Sequence, residues 1–212
     1  NVYIRGFSTV VDTYRNGLRL NSMRGAPDMA FVDHVEVAKG PSSMLFGRVQ
    51  PGGIVNTVTK TPQASRAFGV SQQFESWGTV RTAVDATGAL TSDHSLLYRV
   101  MGVYDKGEWF VDNNQHRNVA FAAYLTWAPS SRLALNLHVE RYDKKMTNVA
   151  YTAQQIPAIG NRPADVPRNW TQNDPVMWSD FPATEKATLI PYDLTFALTT
   201  NWKVTNRLGY SD

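Results

Sequence analysis

The chain has 212 residues, a formal net charge of only +3 and no cysteine. Lys144-Lys145 is the only adjacent basic pair, so the clustered charge of a nucleic-acid binder is missing. A disulfide framework and cysteine-held zinc are excluded. No run of about 18 apolar residues occurs, so no transmembrane helix is expected. Alternating barrel strands escape that test, because each carries only a weak hydropathy signal.

In chain order, Val2–Arg5 reads as a short strand. Val10-Val11-Asp12-Thr13-Tyr14 and Leu18-Arg19-Leu20 bracket Arg15-Asn16-Gly17, a hairpin turn signal. Residues 21–28, NSMRGAPD, form an irregular polar loop. Two β-branched strands follow, Val35–Val37 and Ile54–Val58. Lys39-Gly40-Pro41 closes the first, and Pro51-Gly52-Gly53 turns the chain into the second. Residues 42–46 between them suit one helical turn with Ser42 as N-cap. So many glycines weaken a simple core strand and suit close backbone approach or positive φ.

Residues 63–66 are a polar linker, and beyond them the pattern becomes strict alternation. Phe68, Val70, Gln72 and Phe74 share one face, then Val80, Thr82, Val84 and Ala86. Leu96, Tyr98, Val100, Gly102 and Tyr104 follow, then Val119, Phe121, Ala123, Leu125 and Trp127. Leu133, Leu135, Leu137 and Val139 make the fifth strand, Leu194, Phe196 and Leu198 the sixth, and Trp202, Val204, Leu208 and Tyr210 the seventh. Turns are expected at Trp77-Gly78, Thr91–His94, Pro129-Ser130-Ser131 and Thr200-Asn201. Long polar loops are expected from Asp105 to Asn118 and from Asp143 to about Thr188.

Short turns on one side and long loops on the other are the pattern of an outer-membrane barrel, blemished only by the short first connection on the long side. The strands run about nine residues or more, enough to cross a bilayer when tilted. Arg81, Asp85, Arg99 and Glu140 all lie on the polar face. A charge facing lipid at mid-depth costs about 2–4 kcal/mol, so that face should point into the lumen. Trp77, Tyr98, Tyr104, Trp127, Trp202 and Tyr210 fall near strand ends, as an aromatic girdle would.

Several ordered motifs point to a family. Tyr3-Ile4-Arg5-Gly6-Phe7, Glu36-Val37, Lys39-Gly40-Pro41, Leu45-Phe46-Gly47 and Gly52-Gly53-Ile54-Val55-Asn56 closely resemble the plug domain of TonB-dependent outer-membrane receptors. Two departures stand out: Lys39 where the family usually has Arg, and Asn16-Gly17 where it usually has Asp-Gly. Leu97-Tyr98-Arg99-Val100 and Tyr124–Pro129 resemble the ferric-siderophore branch.

The resemblance implies a mostly β chain. An α+β plug domain, in part, occupies residues 1–62, residues 63–66 link, and residues 67–212 are about seven strands of a 22-stranded transmembrane antiparallel β-barrel. An open seven-strand sheet would leave two bare edges that lipid does not tolerate. The chain is therefore expected to be a fragment, with the start of the plug before Asn1 and further strands after Asp212, and not to fold alone.

The implied function is TonB-dependent uptake of ferric siderophores across the bacterial outer membrane, by a monomeric barrel in outer-membrane lipid. The TonB complex would pull on a segment before Asn1. The iron arrives already chelated, so the receptor needs contacts to the organic shell and no metal ligands or covalently bound cofactor. Arg5 and Lys39 would pair with carboxylates to seat the plug, with Glu36 as a near neighbour; Lys39 keeps the charge but lacks the guanidinium fork. Gly6, Gly40, Pro41, Gly47, Gly52 and Gly53 would shape its backbone. Ligand contacts are expected from Arg24 and from the loop aromatics Trp109, Phe110, Tyr151, Trp170 and Trp178.

Another cargo (cobalamin, haem, an oligosaccharide) and a siderophore-sensing signalling receptor remain open. An enzyme does not fit. Ser42 and Ser43 lack a nucleophile elbow, and His34, His94, His116 and His138 are far apart without metal-ligand spacing.

Overall fold

A computed structural model of the chain describes residues 3–4, 7–8, 13–19, 28–40, 52–108, 115–146, 158–159, 162–163 and 183–212. Strands β1 (Tyr3–Ile4) and β2 (Phe7–Ser8) pair with each other. Strands β3 (Thr13–Arg15), β4 (Leu18–Arg19), β5 (Val32–Lys39) and β6 (Gly53–Thr59) form a mixed sheet in the order β4-β3-β6-β5, with β3 parallel to β6. The expected Asn16-Gly17 turn joins β3 to β4, with φ of 49° and 78°. Both residues take the left-handed region that a two-residue hairpin loop requires. Asp28 caps a single 3-10 turn at Met29–Phe31, accepting from the Ala30 amide at 2.9 Å. Among the described residues there is no α-helix. The helical turn expected at residues 42–46 lies outside them.

The second body is a seven-stranded antiparallel meander of β7 (Ala67–Phe74), β8 (Val80–Ala89), β9 (Leu96–Glu108), β10 (Gln115–Ser130), β11 (Leu133–Met146), β14 (Ala183–Ala197) and β15 (Lys203–Ser211). All seven expected strands are present, each paired with its sequence neighbour. Trp77 and His94 take positive φ in the expected turns.

The four strand ends beside the two expected long loops move. The loop expected from Asp105 is strand through Glu108, and strand resumes at Gln115, before the expected end at Asn118. β11 continues to Met146, and β14 begins at Ala183, well before the alternation at Leu194. These extensions carry charged or polar side chains on both faces, so they show no period of two, yet the ladder from Trp127↔Leu96 to Gln115↔Glu108 is unbroken. Pairing with the neighbouring strand holds these extensions without an apolar face. Pro129-Ser130 lie in β10 beside a register shift, and the turn falls at residues 131–132. Within the expected long loop, β12 (Ala158–Ile159) pairs with β13 (Arg162–Pro163).

β14 also contains Pro191. Its ladder with β11 skips from Leu137↔Tyr192 to Glu140↔Leu189. Proline has no N–H to give, so the skip falls where a donor is missing.

The faces are divided as the alternation predicts. Phe68, Val84, Val100, Phe121, Leu125 and Phe196 point outward and are exposed. The inward face packs on the first body, and the core lies there: Phe31 is fully buried among Met101, Val103, Ala120, Ala122, Tyr124 and Tyr142.

Candidate functional site

The functional geometry lies where the inner face of the seven-stranded wall meets residues 13–62. Three charge clusters join them. In the first, Arg15 on β3 faces Glu140 on β11. Arg15 Nη2 is 2.7 Å from both carboxylate oxygens, and Nε is 3.1 Å from Oε1. Both side chains are 1% exposed. Tyr124 and Tyr142 donate to the same carboxylate at 2.6 and 2.5 Å. Burial works against a charged Arg15, but the Glu140 charge outweighs it and holds the guanidinium above its ordinary value.

In the second cluster Arg81 on β8 reaches Asp28 at 2.6 Å and Asp105 at 3.4 Å, while Asn118 Nδ2 donates to Asp28 at 3.0 Å. In the third, Lys60 and Arg99 share Asp85, at 3.1 and 2.7 Å, and Arg99 also donates to the Thr61 carbonyl at 2.9 Å. The wall charges Arg81, Asp85, Arg99 and Glu140, assigned to the lumen from alternation, are the ones engaged.

Their partners Arg15, Asp28 and Lys60 were not singled out by sequence. Arg15 reads as a turn residue beside Asn16-Gly17, and Asp28 as the end of a polar loop. The hairpin itself is pinned. Asn16 Nδ2 donates to Thr59 Oγ1 and its Oδ1 accepts from the Thr59 amide, at 2.9 Å each, and Nδ2 approaches His138 Nδ1 at 3.4 Å. His138 stacks on Tyr124 with ring centroids 4.3 Å apart.

Of the expected seating residues, Glu36 accepts from Asn56 at 2.7 Å and lies 3.4 Å from His34, both within its own sheet. The Asn56 hydrogen bond, then His34, lowers the Glu36 carboxyl. Lys39 is exposed and has no ion pair among the described residues. Gly40 and Gly53 have φ of 103° and 131°. A Cβ on Gly53 would stand 2.2 Å from the Ala38 carbonyl oxygen. Gly52 is buried in the turn. Arg5, Gly6, Pro41, Gly47, Arg24, Trp109, Phe110, Tyr151, Trp170 and Trp178 lie outside the described residues.

Beside the Asp28 cluster the wall and the 3-10 turn border an open chamber with both polar and apolar lining. One lobe of about 630 Å³ is lined by Met29, Gln73 and Arg81, and an adjoining lobe of about 480 Å³ by Trp77, His116 and Met146. Glu75, Asp105, Asn118 and Lys144 line both. Asn118 Oδ1 is buried with no hydrogen-bond partner among the described residues. No group of three or more metal-ligating side chains occurs among them.

Residues 1–54 match the family model for the TonB-dependent receptor plug domain. The metal-pseudopaline receptor CntO of Pseudomonas aeruginosa is 36% identical over 118 residues, covering 55% of this chain and 17% of the receptor. The ferripyoverdine receptor of the same species is 26% identical over 190 residues, 85% of this chain and 23% of the receptor. The crystal structure of that receptor bound to ferripyoverdine superposes with a TM-score of 0.84 at 20% identity, over 99% of this chain and 28% of the solved one. The siderophore receptor PiuA of Acinetobacter baumannii superposes at 0.79, also at 20% identity, over 99% of this chain and 30% of that one. The chain thus spans less than a third of each of these relatives.

Proposed function

The chain belongs to the TonB-dependent receptors, and from that premise we propose that it forms the plug and part of the barrel wall of a receptor that imports ferric siderophores. Its place is the outer membrane. We take residues 1–62 as plug, residues 63–66 as linker and residues 67–212 as wall. The sheet of β3–β6 ends at Thr59 and the wall begins at Ala67, which supports the division.

One observation carries the reading. Beside an apolar cluster centred on Phe31, ion pairs and hydrogen bonds of Arg15, Asp28 and Lys60 join the plug to the wall. Groups of that kind can be rehydrated when they part, whereas a continuous apolar interface would resist water. A gate that must be seated at rest and moved by an energy source needs such a surface. The TonB complex is the family's source of that work.

Arg5 and Lys39 add seating charges in this reading, and the exposure of Lys39 leaves it open to a carboxylate elsewhere in the receptor. The chamber lined by Glu75, Asp105, His116, Asn118 and Lys144 receives the chelate, with Arg24, Trp109, Phe110, Tyr151, Trp170 and Trp178 as further contacts. Polar groups flanked by aromatics suit the organic shell of a chelate.

The test is a titration of the complete receptor in detergent with ferric hydroxamate, ferric catecholate and cyanocobalamin, followed by tryptophan fluorescence, with iron-free chelators as controls. Saturable sub-micromolar quenching by one ferric chelate is expected. Binding to cyanocobalamin alone, or to none of the three, would overturn the siderophore reading.

A further inference from the structure

The turn that joins β7 to β8 departs from the chemistry its geometry calls for. The Thr79 amide donates to the Ser76 carbonyl at 3.5 Å, and the Glu75 amide to the Thr79 carbonyl at 2.9 Å. The two central residues, Trp77 and Gly78, both take positive φ, 59° and 69°. Asn-Gly is the usual occupant of such a two-residue loop. A bulky side chain at the first position is strained. Burial does not offset that strain, because Trp77 is 60% exposed. Its residue type is explained by what its ring can meet and not by the turn.

The surroundings of that ring are acidic. Trp77, expected in the aromatic girdle, lines the chamber lobe of about 480 Å³ together with Glu75 and Glu108. The Glu108 amide donates to the Trp77 carbonyl at 3.3 Å. Among the described residues the Glu75 side chain has neither ion pair nor hydrogen bond, and the Glu108 carboxylate accepts only from the neutral Gln115 amide, at 3.2 Å. The cations of the lobe are engaged elsewhere: Arg117 lies 3.5 Å from Asp143, and Lys144 stands over the Tyr142 ring. Asn118 Oδ1 adds a buried acceptor without a donor to the same lobe. An aromatic face, two carboxylates and an amide oxygen thus meet there with no cation matched to them.

We propose that Glu75, Trp77 and Glu108 bind a protonated amine on the chelate, so that the receptor selects ferric chelates carrying a free ammonium group. The ring face attracts the cation, and the carboxylates accept its N–H groups. A bare metal ion fits the lobe less well. No group of three or more metal-ligating side chains occurs among the described residues, and the indole offers a donor and no lone pair. An ammonium tethered to a chelate needs no complete ligand set. The inference deepens the uptake reading and rests on the chamber receiving the chelate.

The test is isothermal titration calorimetry of the complete receptor in detergent with two ferric trihydroxamates that differ at one group. Ferrioxamine B ends in a protonated amine, and its N-acetyl derivative does not. An exposed cation–π contact and an exposed ion pair each contribute a few-fold in affinity, so the wild type should favour the amine by about tenfold. Glu75→Gln should cut that preference by about threefold, and Trp77→Gly by about the same. The two changes together should bring the affinities within about twofold of each other. Trp77→Phe keeps a ring face and should keep most of the preference. Trp77→Gly also relieves the left-handed position, so the midpoint of thermal unfolding should hold or rise.

A lowered midpoint with an unchanged preference in Trp77→Gly would make the ring an anchor of the wall and overturn the proposal. Equal affinity of the wild type for both forms, or an undiminished preference in the folded Glu75→Gln/Trp77→Gly receptor, would overturn it as well. Binding of a ferric catecholate but of neither hydroxamate would overturn it and leave the uptake reading standing. Binding of no ferric chelate would remove both.

Discussion

The Glu140 carboxylate is fully buried and receives hydrogen bonds from Arg15, Tyr124 and Tyr142. Replacing Arg15 with alanine leaves that charge among two hydroxyls without its counter-ion. Removing one partner of such a pair costs about 3–5 kcal/mol. Denaturant unfolding of the complete receptor should show that loss. Arg15→Met combined with Glu140→Leu should recover most of it, because the neutral pair leaves nothing uncompensated. Equal destabilisation by the single and double changes would show that shape, and not charge, seats the hairpin. At Gly53 the limit is backbone. A φ of 131° and an Ala38 oxygen 2.2 Å from any Cβ leave no room for a side chain. Gly53→Ala should cost about 1–3 kcal/mol from conformation alone, with the clash in addition. Faster proteolysis of the plug at unchanged barrel mobility would report it.

At the scale of elements, the tight turns set the register of the wall. Between β8 and β9, Asp93 accepts from the Ser95 amide at 3.1 Å. Hydrogen bonds from Thr91 and then Ser95 lower its pKa to about 2. A carboxyl depressed in the folded state stabilises fully above its unfolded value of about 3.9. That contribution is lost as pH falls through about 2. Asp93→Asn should therefore lower stability at neutral pH and flatten the acid limb between about pH 4 and pH 2. Acid unfolding of the two proteins side by side checks this, and parallel curves would remove Asp93 from the account. The upper strand extensions follow a different rule. Asp105–Glu108 and Gln115–Asn118 lack an apolar face, so pairing and side-chain hydrogen bonds hold them as strand.

At the scale of the molecule, the wall presents three environments: an apolar belt outside, a seat for the plug inside that combines ion pairs with the Phe31 cluster, and an open chamber beside that seat. The chamber should govern affinity without governing stability. Lys144 lines both lobes and stands 5.6 Å from the centre of the Tyr142 ring. Lys144→Ala should weaken binding of a ferric chelate by about five- to tenfold, the worth of one polar contact of about 1 kcal/mol. The midpoint of thermal unfolding should stay put. A shifted midpoint with unchanged affinity would make Lys144 part of the frame and not of the chamber.

The sequence by itself determined the seven wall strands and their faces. A side chain's face follows from the period of two, which local backbone geometry imposes on any strand. It also announced the Asn16-Gly17 turn and the tight glycines, since positive φ is a local requirement. Only the tertiary structure decided which charges meet. Arg15 and Glu140 are separated by 125 positions, and nothing in either neighbourhood names the other. Their pairing depends on where the plug sheet docks on the wall, at a buried site where an unpartnered charge is costly. The polar strand extensions were hidden for the same reason: their order comes from the strand alongside, and a neighbour's register is not written in a segment's own residues.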